Sequence, residues 1–135
     1  MEQIFRIRNR PHDLPALLNG LQEFCEARGL TNASALDVRL VAEEVLTNVV
    51  KYAHKEIDTS WVELRVLASA ESVRLEFRDE GAPFNPLDAP VPDLVTRVEE
   101  RKIGGLGVHL FKTLMDDASY AREGSLNVLV LVKHF

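Results

Sequence analysis

Hydrophobic and polar positions follow two different periods along this 135-residue chain. In the first third of the sequence, apolar residues recur every three or four positions, which is the period of an amphipathic helix. This spacing predicts a helix over residues 13–28, with Asp13 at its N-cap and Gly29 after its end. It predicts a second helix that is capped by Ser34 or Asn32 and ends near residue 53.

Alternating apolar and polar positions predict strands in the rest of the chain. Residues 61–68 and 72–79 form a predicted hairpin, residues 3–8 suit an edge strand, and two more strands are expected near 118–122 and 126–133. A third helix is predicted over residues 106–115. The resulting order, βααββ–loop–αββ, favours an α/β (α+β) two-layer sandwich. We expect a mixed, mostly antiparallel sheet with three helices on one face.

The segment at about residues 80–103 has no regular periodicity. Four prolines interrupt its first half, at positions 83, 86, 90 and 92. A connection of this length inside a small domain is usually functional. We therefore predict a single domain over residues 1–135, with this segment as a lid.

Composition limits the classes of function. The apolar fraction of 46% and charged fraction of 27% are those of a soluble globular protein. The formal net charge of −5 disfavours a nucleic-acid surface, and no apolar run is long enough to span a membrane. The single cysteine, Cys25, excludes an internal disulfide and suits a reducing compartment, so a cytoplasmic location is expected. Its apolar neighbours predict a buried side chain rather than a reactive thiol.

Glu44 and Asn48 are the first candidate site residues. They lie four positions apart on the second predicted helix and so share one face. An asparagine oxygen is a suitable Mg²⁺ ligand beside phosphates, and a carboxylate one turn away can accept a proton. Glu43 points about 100° away from Glu44. Lys51, three residues after Asn48, is placed to reach a phosphate. The alternative that Glu44, Asn48 and Lys51 are solvated residues on the helix surface fits the sequence equally well.

Asp79 and Gly81 are the second candidate. Asp79 ends a predicted strand, where its carboxylate can accept a hydrogen bond from an exocyclic amine such as adenine N6. Gly81 allows the backbone to approach a flat base closely. A simple turn is the alternative for this pair.

A glycine cluster before the third predicted helix is the third candidate. Free backbone N–H groups at a helix start favour an anion such as phosphate. The pattern is not a Walker motif, because a long loop rather than a strand precedes it. The predicted phosphate-binding residues are Gly104, Gly105, Leu106, Gly107 and Val108, with lid cations at Arg97, Arg101 and Lys102.

Together these motifs resemble the GHKL ATPase superfamily. The matching segments are Glu44-x-x-x-Asn48-x-x-Lys51, Asp79-x-Gly81-x-Pro83-Phe84 and Gly104-Gly105-x-Gly107. Within the superfamily, the chain is most similar to anti-sigma-factor serine/threonine kinases, and the likeness extends from Ile4 to Lys133.

The resemblance implies the Bergerat fold, Mg-ATP as cofactor and phosphorylation of a serine or threonine on an anti-anti-sigma partner with a STAS domain. It also implies binding to a sigma factor, and a homodimer. Glu44 would be the general base, Asn48 the Mg²⁺ ligand and Asp79 the adenine-binding residue, with Gly81 beside it. Gly105 and Gly107 would bind phosphate. Asn127 departs from the family, which usually has threonine there.

Two other functions fit the same motifs. An ATP-responsive module that sequesters a partner with little catalysis would keep the same glycines and Asp79. A detached ATPase domain of a histidine kinase would need a separate phospho-accepting helix pair, which the sequence lacks.

Overall fold

Five strands and two α-helices make up the described part of the chain. The computed structural model describes residues 2–8, 11–50, 61–85, 87 and 113–135. A 3₁₀ turn at Pro11–Asp13 precedes the first helix. In chain order the elements are β1 (Glu2–Arg8), α1 (Leu14–Ala27), α2 (Asn32–Asn48), β2 (Trp61–Ala68), β3 (Ser72–Asp79), β4 (Asp117–Glu123) and β5 (Leu126–His134).

The strands form one sheet in the order β1-β2-β3-β5-β4. All of its described pairings are antiparallel, so the expectation of a mixed sheet is wrong. The α/β sandwich class is confirmed. Two of the three predicted helices lie in the described residues. Of the third, predicted over residues 106–115, only residues 113–115 are described, and it ends at residue 114.

One face of the sheet packs against the helices to form the core. Every second residue of β2, β3 and β5 points into it, because side chains alternate across a strand. Full burial of such a side chain stabilises the fold by about 1.5–3 kcal/mol. The fully buried strand residues are Val62, Leu64, Val66, Val73, Leu75 and Leu131, with Phe77 at 1% exposure.

Helix α1 ends in a glycine-dependent cap, as predicted. Gly29 adopts φ 102°, a left-handed conformation that side chains disfavour. The amide of Gly29 donates to the Glu26 carbonyl at 3.1 Å, and that of Leu30 donates to the Cys25 carbonyl at 3.1 Å. This is the Schellman arrangement, and the buried Leu30 and Cys25 belong to the same core.

The N-cap of helix α2 lies one residue before Asn32 and three before Ser34, the two predicted caps. Thr31 is the N-cap, and its side chain accepts a hydrogen bond from the Ser34 amide at 3.1 Å. Asn32 and Ser34 are already helical, so the prediction that one of them caps the helix is wrong. Regular α-helix ends at Asn48, followed by a wider π-type turn at residues 49–50, and the predicted end near residue 53 lies outside the described residues.

The other face of the sheet carries paired charges. Glu76 lies within 3.1 Å of Arg74, 3.4 Å of Arg78 and 4.0 Å of Arg65. On the same face the guanidinium of Arg6 stacks 4.1 Å from the centroid of the Trp61 ring.

Among the described helices, none has both the length and the apolar character needed to cross a membrane.

Candidate nucleotide-binding site

Helix α2 places Asn48 inside the protein. Its side chain is 2% exposed, and no donor in the described part of the chain reaches its Oδ1 atom. A buried acceptor without a donor costs about 1–3 kcal/mol, so such atoms are rare in folded proteins. A hard cation takes oxygen ligands of this kind, and the orphaned oxygen therefore fits Mg²⁺.

The two neighbouring glutamates differ in burial. Glu44 is half-buried and lies on the same helix face as Asn48, which is one turn further along the chain. Glu43 is exposed. This difference supports Glu44 over Glu43 as the residue that faces the site. The catalytic role of Glu44 stays a prediction.

The end of β3 holds the second candidate. Asp79 is 3% exposed, and its Oδ1 accepts a hydrogen bond from the Gly81 amide at 2.8 Å. The bond closes a tight turn directly after the strand and fixes the carboxylate relative to the backbone of Gly81, which is itself buried. The Asp79 carboxylate is therefore held rigidly as a hydrogen-bond acceptor, next to a backbone that a flat base can approach closely. This arrangement suits the amine-bearing edge of a base.

Asn127 on β5 joins this turn from the neighbouring strand. It pairs with Asp79 in the sheet register, and its Nδ2 donates to Asp79 Oδ1 at 3.0 Å. The same nitrogen donates to the Ala82 carbonyl at 2.8 Å, and Asn127 Oδ1 accepts from the Phe84 amide at 3.2 Å. The sequence marked Asn127 only as a departure from the family, and the structure places it against the predicted base-binding carboxylate.

Two residues of β4 complete the network, and sequence reasoning missed both. The Tyr120 hydroxyl and Arg122 Nη1 both donate to Asn127 Oδ1, the arginine at 3.2 Å. Arg122 Nη1 also donates to the Gly81 carbonyl at 2.7 Å. Arg122 is the register partner of Asn127, so only the pairing of β4 with β5 reveals the contact.

A small pocket lies between the end of α2 and the sheet. It is narrow, because within about 210 Å³ of space shared with open solvent only about 10 Å³ is wide enough for a water molecule. Its walls are mostly apolar and three of the lining side chains are aromatic, as is usual in pockets for flat ligands. Asp79 and Asn127 also line the pocket. The lining residues are Val49, Phe77, Asp79, Phe84, Tyr120, Asn127 and Leu129.

The structure thus brings Asp79 and Gly81 together, and it places the end of the Asn48 helix at the same pocket. Val49, which follows Asn48, shares the pocket with Asp79. The remaining predicted site residues lie outside the described residues, and their roles stay predictions. They are Lys51, Gly104, Gly105, Leu106, Gly107, Val108 and the lid cations Arg97, Arg101 and Lys102.

Cys25 is buried, as predicted. Its side chain is 0% exposed, and burial raises the pKa of the thiol from 9.0 to about 11, with a smaller contribution from the charge of Glu26. The thiolate is the reactive form, so this residue packs as a small apolar side chain.

Sequence comparisons agree with this geometry. The family of histidine kinase-like ATPase domains matches residues 7–133. The chain is 30% identical over 95 residues to the serine/threonine-protein kinase BtrW of Bordetella bronchiseptica, covering 70% of this chain and 67% of that protein. It is 27% identical over 114 residues to the serine-protein kinase RsbW of Listeria monocytogenes, covering 76% of this chain and 68% of that protein.

Solved structures show the same fold at lower identity. A Mycobacterium tuberculosis protein containing RsbU and RsbW domains superposes with a TM-score of 0.69 at 12% identity, over 99% of this chain and 32% of that one. The blue-light activated histidine kinase EL346 of Erythrobacter litoralis gives 0.57 at 17% identity, over 91% of this chain and 40% of that one. With the family match extending over residues 7–133, the chain belongs to the histidine kinase-like ATPase domain family.

Proposed function

We propose that this chain is an ATP-dependent protein serine/threonine kinase that acts as an anti-sigma regulatory factor. The observation that carries the proposal is the buried oxygen of Asn48, which no described donor reaches, on the helix that bears Glu44 and ends at the base pocket. The names of its relatives, serine/threonine-protein kinase BtrW and serine-protein kinase RsbW, support the same activity.

The site divides into a base end and a phosphate end. At the base end, Asp79 accepts a hydrogen bond from the adenine amine and Gly81 lets the ring approach the backbone. At the phosphate end, Asn48 Oδ1 would hold Mg²⁺, with Lys51 and residues 104–108 around the phosphates. Bound Mg²⁺ supplies neutralisation of the phosphate charge.

Glu44 is the proposed general base. Phosphoryl transfer requires mainly that the acceptor hydroxyl be positioned and its proton be taken up. Glu44 lies one helical turn before Asn48, so a carboxylate and a metal ligand face the same space. Its carboxylate would orient the serine or threonine hydroxyl and accept its proton as the phosphoryl group transfers.

The proposed partners follow from the kinase assignment and the family resemblance. The substrate would be a STAS-domain anti-anti-sigma protein, and the alternative partner a sigma factor. The chain would act as a homodimer in the cytoplasm.

Phosphate transfer to a STAS-domain partner tests the proposal. Purified protein is incubated with Mg²⁺, γ-labelled ATP and candidate STAS proteins from the same genome, followed by phosphosite mapping. We expect a labelled serine or threonine on one of them. Glu44→Gln should lower the transfer rate by about 10²–10⁴-fold and leave ADP affinity within about threefold.

Glu43→Gln is the matched control, because Glu43 is exposed on a different face of the same helix. It should transfer phosphate at the wild-type rate. Undiminished transfer by Glu44→Gln would remove the general base from the proposal. ATP binding by the wild type without labelling of any STAS protein would argue for a binding module instead.

A further inference from the structure

Asn127 has no part in the function proposed above, although its side chain occupies the centre of the base end. It is 4% exposed. The orientation of its amide follows from its neighbours. The nitrogen faces the Asp79 carboxylate and the Ala82 carbonyl, and the oxygen faces the Phe84 amide. The reversed amide would set oxygen against oxygen and nitrogen against a donor.

The hydrogen-bonding capacity of Asn127 is used within the protein. The two N–H groups of the amide are directed at Asp79 and Ala82, with the Gly81 carbonyl a longer contact at 3.5 Å. Its oxygen accepts from the Tyr120 hydroxyl and Arg122 in addition to the Phe84 amide. An amide offers two donors and two lone pairs, so Asn127 has none left with which to read a base directly.

The contacts of Asn127 instead fix the residue that reads the base. Asp79 Oδ1 receives one hydrogen bond from the Gly81 amide at 2.8 Å and a second from Asn127 at 3.0 Å. Two donors on one oxygen set the plane of the carboxylate. Arg122 holds the Gly81 carbonyl at 2.7 Å, which keeps the turn in register with β4.

We propose that Asn127 is a specificity-determining residue that acts through Asp79. It holds the carboxylate so that the pocket accepts a 6-amino purine and rejects a 6-oxo purine. A 6-amino group donates to the carboxylate, whereas a 6-oxo group places a second acceptor against it and leaves both unpaired. The inference rests on the proposed function, because it takes an adenine nucleotide as the ligand.

Paired binding measurements with ADP and IDP test the inference. IDP keeps the ribose and phosphates and replaces only the 6-amino group by oxygen. By calorimetry, the wild type should bind ADP at least about tenfold more tightly than IDP. Asn127→Ala, which removes the amide, should bring the two dissociation constants within about threefold of each other. Asn127→Leu, which keeps a side chain of similar size and removes the donors, should do the same.

Val73→Ala is the matched control for general destabilisation. Val73 is fully buried on β3 at the opposite end from Asp79. This variant should lower the melting temperature and keep the wild-type preference for ADP. If Asn127→Ala does not fold, Asn127→Leu decides the question, because it keeps a similar side-chain volume.

The outcomes separate the inference from the function on which it rests. Asn127 variants that melt earlier but keep the wild-type preference would show that the residue is merely structural, and would overturn the inference. A wild type that binds ADP and IDP equally would overturn it as well and leave the kinase proposal standing. A wild type that binds neither nucleotide would refute the proposed function itself.

Discussion

At the residue scale, Asn48 combines burial with an acceptor oxygen that no donor among the described residues reaches. In a protein selected for stability alone, an apolar side chain of similar size would fill the position at lower cost. Residues that lower stability in this way are typical of functional sites. Substitution of Asn48 should therefore change stability and ligand binding in opposite directions.

Asn48→Leu should raise the free energy of unfolding by about 1 kcal/mol, because it removes a buried oxygen without a donor in the described part of the protein. It should also abolish the dependence of ADP affinity on Mg²⁺. Urea denaturation and calorimetry with and without Mg²⁺ measure the two effects. Asn32→Leu, at an exposed position of the same helix, should change stability by less than about 0.5 kcal/mol. Unchanged Mg²⁺ dependence in Asn48→Leu would exclude Asn48 as the metal ligand.

Cys25 gives a prediction in alkaline solution. The pKa of its thiol is about 11 in the folded protein, compared with 9.0 for an unperturbed thiol, which stands for the unfolded chain. Below pH 9 the thiol is protonated in both states. Above pH 9 the unfolded chain loses the proton first, so folding stability falls as pH rises, by about 2.3 kcal/mol at pH 11.

The matched variant for this prediction is Cys25→Ala, which cannot titrate at the same position. The difference in unfolding free energy between wild type and Cys25→Ala should shrink between pH 9 and pH 11. Parallel urea titrations at several pH values measure it. A difference that stays constant across this range would show that the thiol titrates with an ordinary pKa.

At the element scale, the sequence predicted elements better than their ends. β2 and β3 match their predicted bounds, because alternation over eight residues leaves little freedom of register. The N-cap of α2 was wrong because several adjacent polar residues can cap a helix. The backbone decides among them: Thr31 is extended at ψ 160°, and Asn32 is already helical.

The cap of α2 can be tested directly. Thr31→Ala removes the oxygen that accepts the Ser34 amide and should lower the free energy of unfolding by about 1 kcal/mol. Thr31→Ser keeps the hydroxyl and should stay within about 0.5 kcal/mol of wild type. Chemical denaturation measures both variants. Equal losses in the two would mean that the hydroxyl does not cap the helix.

The site was only partly predictable for a related reason. Glu44, Asn48, Asp79 and Gly81 carry recognisable local spacing, so the sequence identifies them. Tyr120 and Arg122 reach the same turn only through the register of β4 against β5. Local sequence does not encode that pairing, because the strands alternate equally well in registers shifted by two residues.

At the scale of the whole molecule, the pocket is assembled from distant parts of the chain. The chain leaves the sheet at the end of β3, returns at the outer edge as β4, and then fills the position between them with β5. Asp79 and Asn127 are 48 residues apart in sequence and hydrogen-bonded in space. Ligand binding to such a pocket stabilises the fold as a unit.

Mg-ADP should therefore raise the melting temperature. At a concentration of about 100 times the dissociation constant, binding contributes about 2.7 kcal/mol, a shift on the order of 10 °C for a domain of this size. Differential scanning fluorimetry measures it, with Mg²⁺ alone as the control. The shift should be smaller for Asn48→Leu at the same Mg-ADP concentration. No shift at any concentration of Mg-ADP would count against the nucleotide site.

The antiparallel pairing of β3 with β5 has a further consequence for local opening. Asp79 and Asn127 are register partners, so detachment of β5 from β3 separates both halves of the base pocket at once. A nucleotide that requires both halves must dissociate before these strands part. Amide hydrogen exchange along β5 should then slow when nucleotide is added. The protection of the β5 amides would therefore measure how fully the pocket is occupied.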